Sequence, residues 1–215
     1  MVYYYYRWLM HIWKLWIRKI DGINNIPKDK PFIVALNHSS YYDIGIAHSI
    51  LVPLLNKRVH AFVSSYFWKY KIIIHSFLNP LGGIPVYVQN EKNSRQKNKK
   101  SFQKAQFYIK KGDIVVIFPE GTRSPDGSLV KPYTGIAKLA LAAKVPVIPM
   151  GIIGSNKVWP REKIFPRFKR CQVKIGKPIY FSKYYNKTLS KNDFEKITRA
   201  IMKEIAKLIG QKYNY

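Results

Sequence analysis

"DIVVIFP", Asp113 to Pro119, is the stretch whose reading decides the fold. Four β-branched residues in a row, Ile114 to Ile117, lie between Gly112 and Pro119, which makes this the clearest strand in the chain. On its N-terminal side, Ser94 to Lys111 reads as a basic helix. On its C-terminal side, a Gly- and Pro-rich turn leads to "TGIAKLALAAK", a helix, and then to "VPVIPMGII", another strand. The same alternation runs outward in both directions. "PFIVALN" is a buried strand, Tyr41 to Leu55 a helix, "VHAFVSS" a strand, Phe67 to Leu78 a helical stretch and "GGIPVYV" a short strand entered through glycines. A last strand covers "QVKIGKPIY". The final helix runs from about Asn192 to Ile209, with a Ser190/Asp193 capping box, a stripe of Phe194, Ile197, Ile201, Ile205 and Leu208, and Gly210 as its stop. Alternation of this kind specifies an α/β domain with a central sheet covered by helices.

The chain has 215 residues, enough for one substantial core. Cys171 is the single cysteine, so no internal disulfide and no cysteine-built metal cluster can form, which fits a reducing compartment. Lys and Arg number 38 against 11 Asp and Glu, a formal net charge of +27. That field calls for an anionic counterpart: nucleic acid, an acidic lipid surface, a phosphorylated substrate or an acidic carrier protein. No segment reads as a membrane span. The longest uncharged stretch, Ile72 to Asn90, is broken by Pro80, Gly82, Gly83 and Pro85.

The first 20 residues, "MVYYYYRWLMHIWKLWIRKI", raise the membrane question. Arg7, His11, Lys14 and Arg18 recur at helical spacing, while Trp8, Trp13 and Trp16 with Leu and Ile cover most of the remaining surface. A basic stripe opposite a Trp-rich surface predicts a helix lying in a bilayer interface. The alternative, an amphipathic helix docked on the domain, requires only one packing stripe. The expected organisation is therefore an interfacial helix over 1–20, a turn-rich linker over 21–30 and a single α/β domain over 31–215.

Two turns carry chemistry. "NHSSYYD", Asn37 to Asp43, follows the strand "PFIVAL". In a continuous helix, His38 and Asp43 would point about 140° apart. They meet if His38 ends the strand, Ser39 or Ser40 caps the next helix, and Asp43 sits in its first turn. The carboxylate then orients one ring nitrogen and leaves the other as a base. Alternatively, Asp43 serves only the helix N-terminus. The second turn, "FPEGTRSPDG", follows "DIVVI" at the end of a strand, where open α/β sheets bind ligands. Arg123 offers a planar fork for phosphate, Gly121 permits close backbone approach, and Thr122 and Ser124 add donors. A surface turn held by a Glu120–Arg123 ion pair is the plainer alternative.

"NHSSYYD" and "FPEGTRS" resemble the H-x-x-x-x-D and E-G-T-R motifs of the glycerolipid acyltransferases, the 1-acylglycerol-3-phosphate acyltransferase family. "GGIPV" and "VPVIPMGI" resemble two further blocks of that family, and all four occur in family order across roughly residues 30 to 155. The resemblance implies a mixed, largely parallel sheet. It also implies transfer of a fatty acyl group from acyl-CoA or acyl carrier protein to the hydroxyl of a lysophospholipid, most directly 1-acylglycerol-3-phosphate. His38 would be the base, Asp43 its orienting partner, and Glu120, Gly121, Thr122 and Arg123 the acceptor-phosphate loop. No metal or cofactor is implied beyond the acyl-CoA or carrier-protein co-substrate. The family's glycine–isoleucine block usually ends in a phosphate-binding arginine. Val88 stands there, which points to Lys92 or Arg95 as the supporting cation, or to another lyso-lipid acceptor.

His11, His48, His60 and His75 have no carboxylate or cysteine at ligand spacing and read as structural. The cations of Lys92 to Lys111 read as a solvated helix face. The aromatic and basic run "NKVWPREKIFPRFKR" suits lipid headgroups, acyl carrier protein or coenzyme A phosphates. A non-catalytic basic protein on membrane or nucleic acid would account for the charge but not for His38, Asp43 or the "PEGTR" turn. Nucleic acid is therefore the poorer fit, and the expected location is the cytoplasmic face of a membrane, as a peripheral or monotopic protein.

Overall fold

The structure, a computed structural model, describes residues 8, 10–70, 79, 82–87, 90–160, 163 and 165–215. Its elements in chain order are β1 (Ile17–Asp21), β2 (Ile33–Leu36), α1 (Tyr42–Leu55), β3 (Val59–Ser64), β4 (Ile84–Val86) and α2 (Ser94–Lys110). These are followed by β5 (Ile114–Ile117), α3 (Gly135–Ala143), β6 (Val147–Ile153), the single turn α4 (Ser155–Val158), β7 (Cys171–Ile175) and α5 (Lys191–Ile209). Seven strands form one sheet in the order β1-β7-β6-β2-β5-β3-β4. All pairs are parallel except β6 with β7, so the sheet is mixed and largely parallel.

Alternation along β2 and β5 sorts the core into two layers. Val34, Leu36, Ile114 and Val116 face α1, whereas Ile33, Ala35, Val115 and Ile117 face α2, α3 and α5. β2 and β5 are buried along their whole length, as central parallel strands covered on both faces must be. Each fully buried Ile, Val or Leu contributes about 1.5–3 kcal/mol, so this doubly covered centre is the most rigid part of the molecule and a firm mount for the turns at its ends. α5 forms as the sequence requires. Ser190 Oγ accepts from the Asp193 amide, Asp193 reciprocates to the Ser190 amide, and Gly210 closes the helix at φ 72°.

The N-terminus departs from expectation. Residues 10–13 are helical and Lys14–Trp16 form a 3₁₀ turn, but residues 17–21 form a strand paired with β7. The helix expected over 1–20 therefore ends by Trp16, and the linker expected from 21 begins inside the sheet. The physical reason is edge pairing: "IRKID" satisfies the otherwise unpaired edge of β7, which a helix would leave open. Trp13 stacks on Tyr42 at 5.1 Å and lies against Gly45, where any Cβ would clash with its ring at 2.3 Å. Trp13 and Trp16 are thus partly buried against the domain, while Trp8 is exposed. Residues 1–7 and 9 lie outside the described residues, as does most of the helix expected over Phe67–Leu78, whose first residues belong to a 3₁₀ turn, Ser65–Lys69. No helix among the described residues is long and apolar enough to cross a membrane.

Candidate active site

β2 ends at Leu36 and hands over to α1 through the quoted turn. Asn37 acts as an extra strand residue made of side chain: its Nδ2 donates to the Ile152 carbonyl at 3.0 Å and its Oδ1 accepts the Ile152 amide at 2.8 Å. The chain then leaves the sheet with His38. Asp43, fully buried in the first turn of α1, uses one oxygen for three contacts. Its Oδ2 accepts the Ser39 amide at 2.7 Å and the Ser40 amide at 2.8 Å, and lies 2.9 Å from His38 Nδ1. Ser40 Oγ accepts the Tyr42 amide at 3.1 Å, but the helix N-cap is Tyr41, which makes no side-chain cap, so neither expected serine caps the helix. Asp43 Oδ2 already accepts from two amides, so toward the ring it acts as an acceptor again. The proton therefore sits on Nδ1, and Nε2 presents a lone pair. The opposing wall is Phe118, stacked on the imidazole at 4.0 Å.

The second turn supports the first. Glu120 is buried and spends its two oxygens on backbone, accepting the His38 amide at 2.8 Å and the Val130 amide at 2.7 Å. Burial pushes its pKa up to about 7 against the opposing pull of those two amides. The Ser124 amide donates to the His38 carbonyl at 2.7 Å. Both backbone polar groups of His38 are therefore held by the "PEGTRS" turn. Gly121 adopts φ +65°, and a Cβ there would meet the Tyr133 ring at 2.9 Å, so the position admits glycine. Arg123 rests on Tyr41, its Cζ 3.6 Å from the ring centroid, and its buried Nη1 has no hydrogen-bond partner among the described residues. The guanidinium is placed by this contact with at least one donor left unspent among the described residues.

The structure brings together His38, Asp43, Glu120, Gly121 and Arg123, with Thr122 exposed beside them. The ion pair between Glu120 and Arg123 does not form, because Glu120 is committed to backbone. Ser124 is not a free donor: its hydroxyl donates to Asp126 at 2.9 Å and helps hold that carboxyl at a pKa of about 2. Ser39 Oγ pairs with Ser155 Oγ at 2.8 Å, and Ser40 Oγ donates to the Trp159 carbonyl at 2.8 Å, so both hydroxyls build structure. Lys92 and Arg95 are exposed beyond β4, a strand that lies three positions from β2 in the sheet. Val88 lies outside the described residues. Cys171 is buried in β7, its thiol pushed up to about 12 by burial, and is inert.

Three contributors escape a motif reading: Phe118 beneath the imidazole, Tyr41 beneath the guanidinium, and Trp159, which lies 6.1 Å from Tyr41. A signal for Phe118 existed. The period of two from Ile114 and Val116 places it on the α1 face, where His38 emerges.

The chain and its fold find counterparts in known proteins. Residues 17–153 match the acyltransferase family profile. A chloroplastic 1-acyl-sn-glycerol-3-phosphate acyltransferase of Brassica napus is 30% identical over 167 residues, covering 76% of this chain and 45% of the relative. The 1-acyl-sn-glycerol-3-phosphate acyltransferase of Bacillus subtilis is 26% identical over 190 residues, covering 88% of this chain and 87% of the relative. The chain thus spans under half the length of the plant relative and most of the bacterial one. The crystal structure of a 1-acyl-sn-glycerophosphate acyltransferase from Thermotoga maritima superposes with a TM-score of 0.66 at 20% identity, over 96% of this chain and 81% of that one, and shows the same fold. With the profile spanning more than half of its residues, this chain belongs to the acyltransferase family.

Proposed function

We propose that this protein transfers a fatty acyl group from the thioester of acyl-CoA or acyl carrier protein to the free hydroxyl of a lysophospholipid, with 1-acylglycerol-3-phosphate as acceptor and phosphatidate as product. The observation that carries the reading is the joint between the two turns. His38 is bound through its amide to Glu120 and through its carbonyl to Ser124, so the base and the Arg123 guanidinium share one side of the sheet. The names of the relatives support the choice of acceptor.

In this reading Nε2 of His38 removes the proton of the acceptor hydroxyl as its oxygen attacks the thioester carbonyl. The imidazolium formed is stabilised by Asp43, which keeps the ring in one tautomer. Collapse of the tetrahedral intermediate breaks the C–S bond, and the proton on Nε2 passes to the departing thiolate. Arg123 holds the acceptor phosphate, and the Gly121–Thr122 backbone approaches it. Glu120 is a positioning residue, since both its oxygens are spent on backbone. The protein would work as a peripheral membrane protein, because acceptor and product both reside in lipid. The test is the purified full chain with acyl-CoA or acyl carrier protein thioester and several lyso-lipids offered together, read by lipid mass spectrometry. Consumption of lysophosphatidate with release of free thiol is the expected result. Consumption of a different lyso-lipid would relocate the specificity to the Val88 position, and no thiol release with any pairing would overturn the reading.

A further inference from the structure

The site and the sheet edge share a surface that the chemistry above does not use. β1 is parallel to β7, and β7 is antiparallel to β6, so residues preceding Ile17 and residues preceding Cys171 leave the sheet at the same end. That end is the one from which His38 emerges, because Leu36 of β2 pairs with Met150 of β6 and Ile153 of β6 pairs with Gln172 of β7. Two segments about 150 residues apart in sequence are thereby brought together, and the Trp16 indole seals them by donating to the Arg167 carbonyl at 3.0 Å.

Both segments hold large apolar side chains out in water. Trp8 is 71% exposed and Phe165 78%, Phe168 is fully exposed, and Ile12 and Leu15 stand out beside them. Monomeric soluble proteins rarely expose so many large apolar groups together. Around them, residues 163–170 carry Lys163, Arg167, Lys169 and Arg170 with no acid, all four are exposed, and among the described residues none forms a salt bridge. The surface also continues into the site. Trp159 anchors the 163–170 segment through its indole to the Lys163 carbonyl at 2.8 Å, and its ring neighbours Tyr41, on which Arg123 rests.

We propose that Trp8, Ile12, Leu15, Phe165 and Phe168 form one two-footed docking surface for an anionic lipid bilayer. The feet are the N-terminal turn and the 165–168 loop, and the flanking cations lie at headgroup level. Charge complementarity selects the occupant, because an apolar centre flanked by exposed cations matches anionic headgroups over acyl chains. The role of this surface in acceptor delivery rests on the acyltransfer reading: a lysolipid would reach Arg123 past Trp159 and Tyr41 without leaving the interface. Docking itself does not rest on that reading.

The experiment is co-sedimentation of the full chain with vesicles of equal parts phosphatidylglycerol and phosphatidylcholine, against vesicles of phosphatidylcholine alone. The Phe165→Ser/Phe168→Ser double variant should partition at least about tenfold less onto anionic vesicles, with its thermal melt unchanged because neither ring is packed. Wild-type binding should weaken as salt rises. Phe168→Cys can be labelled selectively with an environment-sensitive fluorophore, because Cys171 is buried and unreactive. Its emission should shift to the blue on anionic vesicles. Equal partition of wild type and double variant overturns the proposal. So does a wild-type dimer in sedimentation velocity that the double variant loses, with emission following protein concentration and not vesicles, because a second copy would then cover the patch. With a short-chain, water-soluble lysophosphatidate the double variant should match wild type in turnover, and with vesicle-borne acceptor it should fall about tenfold. Absence of turnover in both proteins would defeat the acyltransfer reading while the vesicle partition still decides the surface.

Discussion

Among the described residues are two histidine–aspartate pairs of nearly identical length, at opposite ends of the sheet's parallel strands. His38 Nδ1 lies 2.9 Å from Asp43 Oδ2 at the carboxyl end of β2, and His60 Nε2 lies 3.0 Å from Asp113 Oδ2 at the amino end of β3 and β5. They differ in what remains unused. The His60 ring has its Nδ1 3.1 Å from the Gly82 carbonyl and is stacked at 3.6 Å on Tyr108, so both nitrogens are engaged. Its side chain is 4% exposed, and burial outweighs the pull of Asp113 to hold its pKa below the ordinary value. The His38 side chain is 16% exposed and has one nitrogen to spare. The pair geometry alone therefore does not mark a base. The uncommitted nitrogen of a partly exposed ring does.

That contrast can be broken outright. His38→Ala should lower kcat by about a thousandfold or more while leaving the melt close to wild type. His60→Ala should do the reverse, costing about 2–4 kcal/mol in urea unfolding with kcat within a few-fold of wild type, because it opens a buried hole and orphans Asp113. Loss of turnover in a well-folded His60→Ala variant would remove the distinction. Asp43→Asn should cut kcat by about a hundredfold or more, since the amide oxygen can take over the three contacts of Oδ2 but brings no charge to stabilise the imidazolium. Asp113→Asn should cost only about 1 kcal/mol of stability, the worth of one hydrogen bond.

The supports around His38 sharpen the contrast further. Glu120 is neutralised more readily in the folded chain than in the unfolded one, so ionising it opposes folding. Between pH 4.5 and about 7 its contribution should fall by up to about 3 kcal/mol, and stability relative to Glu120→Gln should decline across that window and level off above it. Urea titrations of both proteins across pH check the sign. Arg123→Lys should raise the acceptor KM about tenfold with a smaller change in kcat, because lysine keeps the charge and loses both the planar fork and the stack on Tyr41.

Much of this was legible in the letters because the signals were local. Strand runs such as "IVVI", the Ser190 capping box and the Gly210 stop each depend on residues within a few positions, and all lie where expected. The His38–Asp43 contact was legible for the same reason, as five residues at a helix start determine it. What stayed hidden was non-local. "WIRKI" continues a helical pattern, and only the distant edge of β7 makes all but its first residue a strand. Likewise, a carboxylate beside an arginine suggests an ion pair until the fold delivers the His38 and Val130 amides to Glu120. The His60–Asp113 pair spans 53 residues, which no spacing rule covers.

The placement of β1 has a mechanical consequence. A terminal segment that hung from the domain by a flexible tether would let the enzyme swing and sample many orientations. Here the chain passes from Trp16 directly into five residues of sheet, with no slack between foot and catalytic centre. Torque applied at the terminus would be transmitted to β7 and β6, so in the docked state proposed above the height and tilt of the His38 turn would be set by the contact itself, as a plane iron's depth is set by its bed.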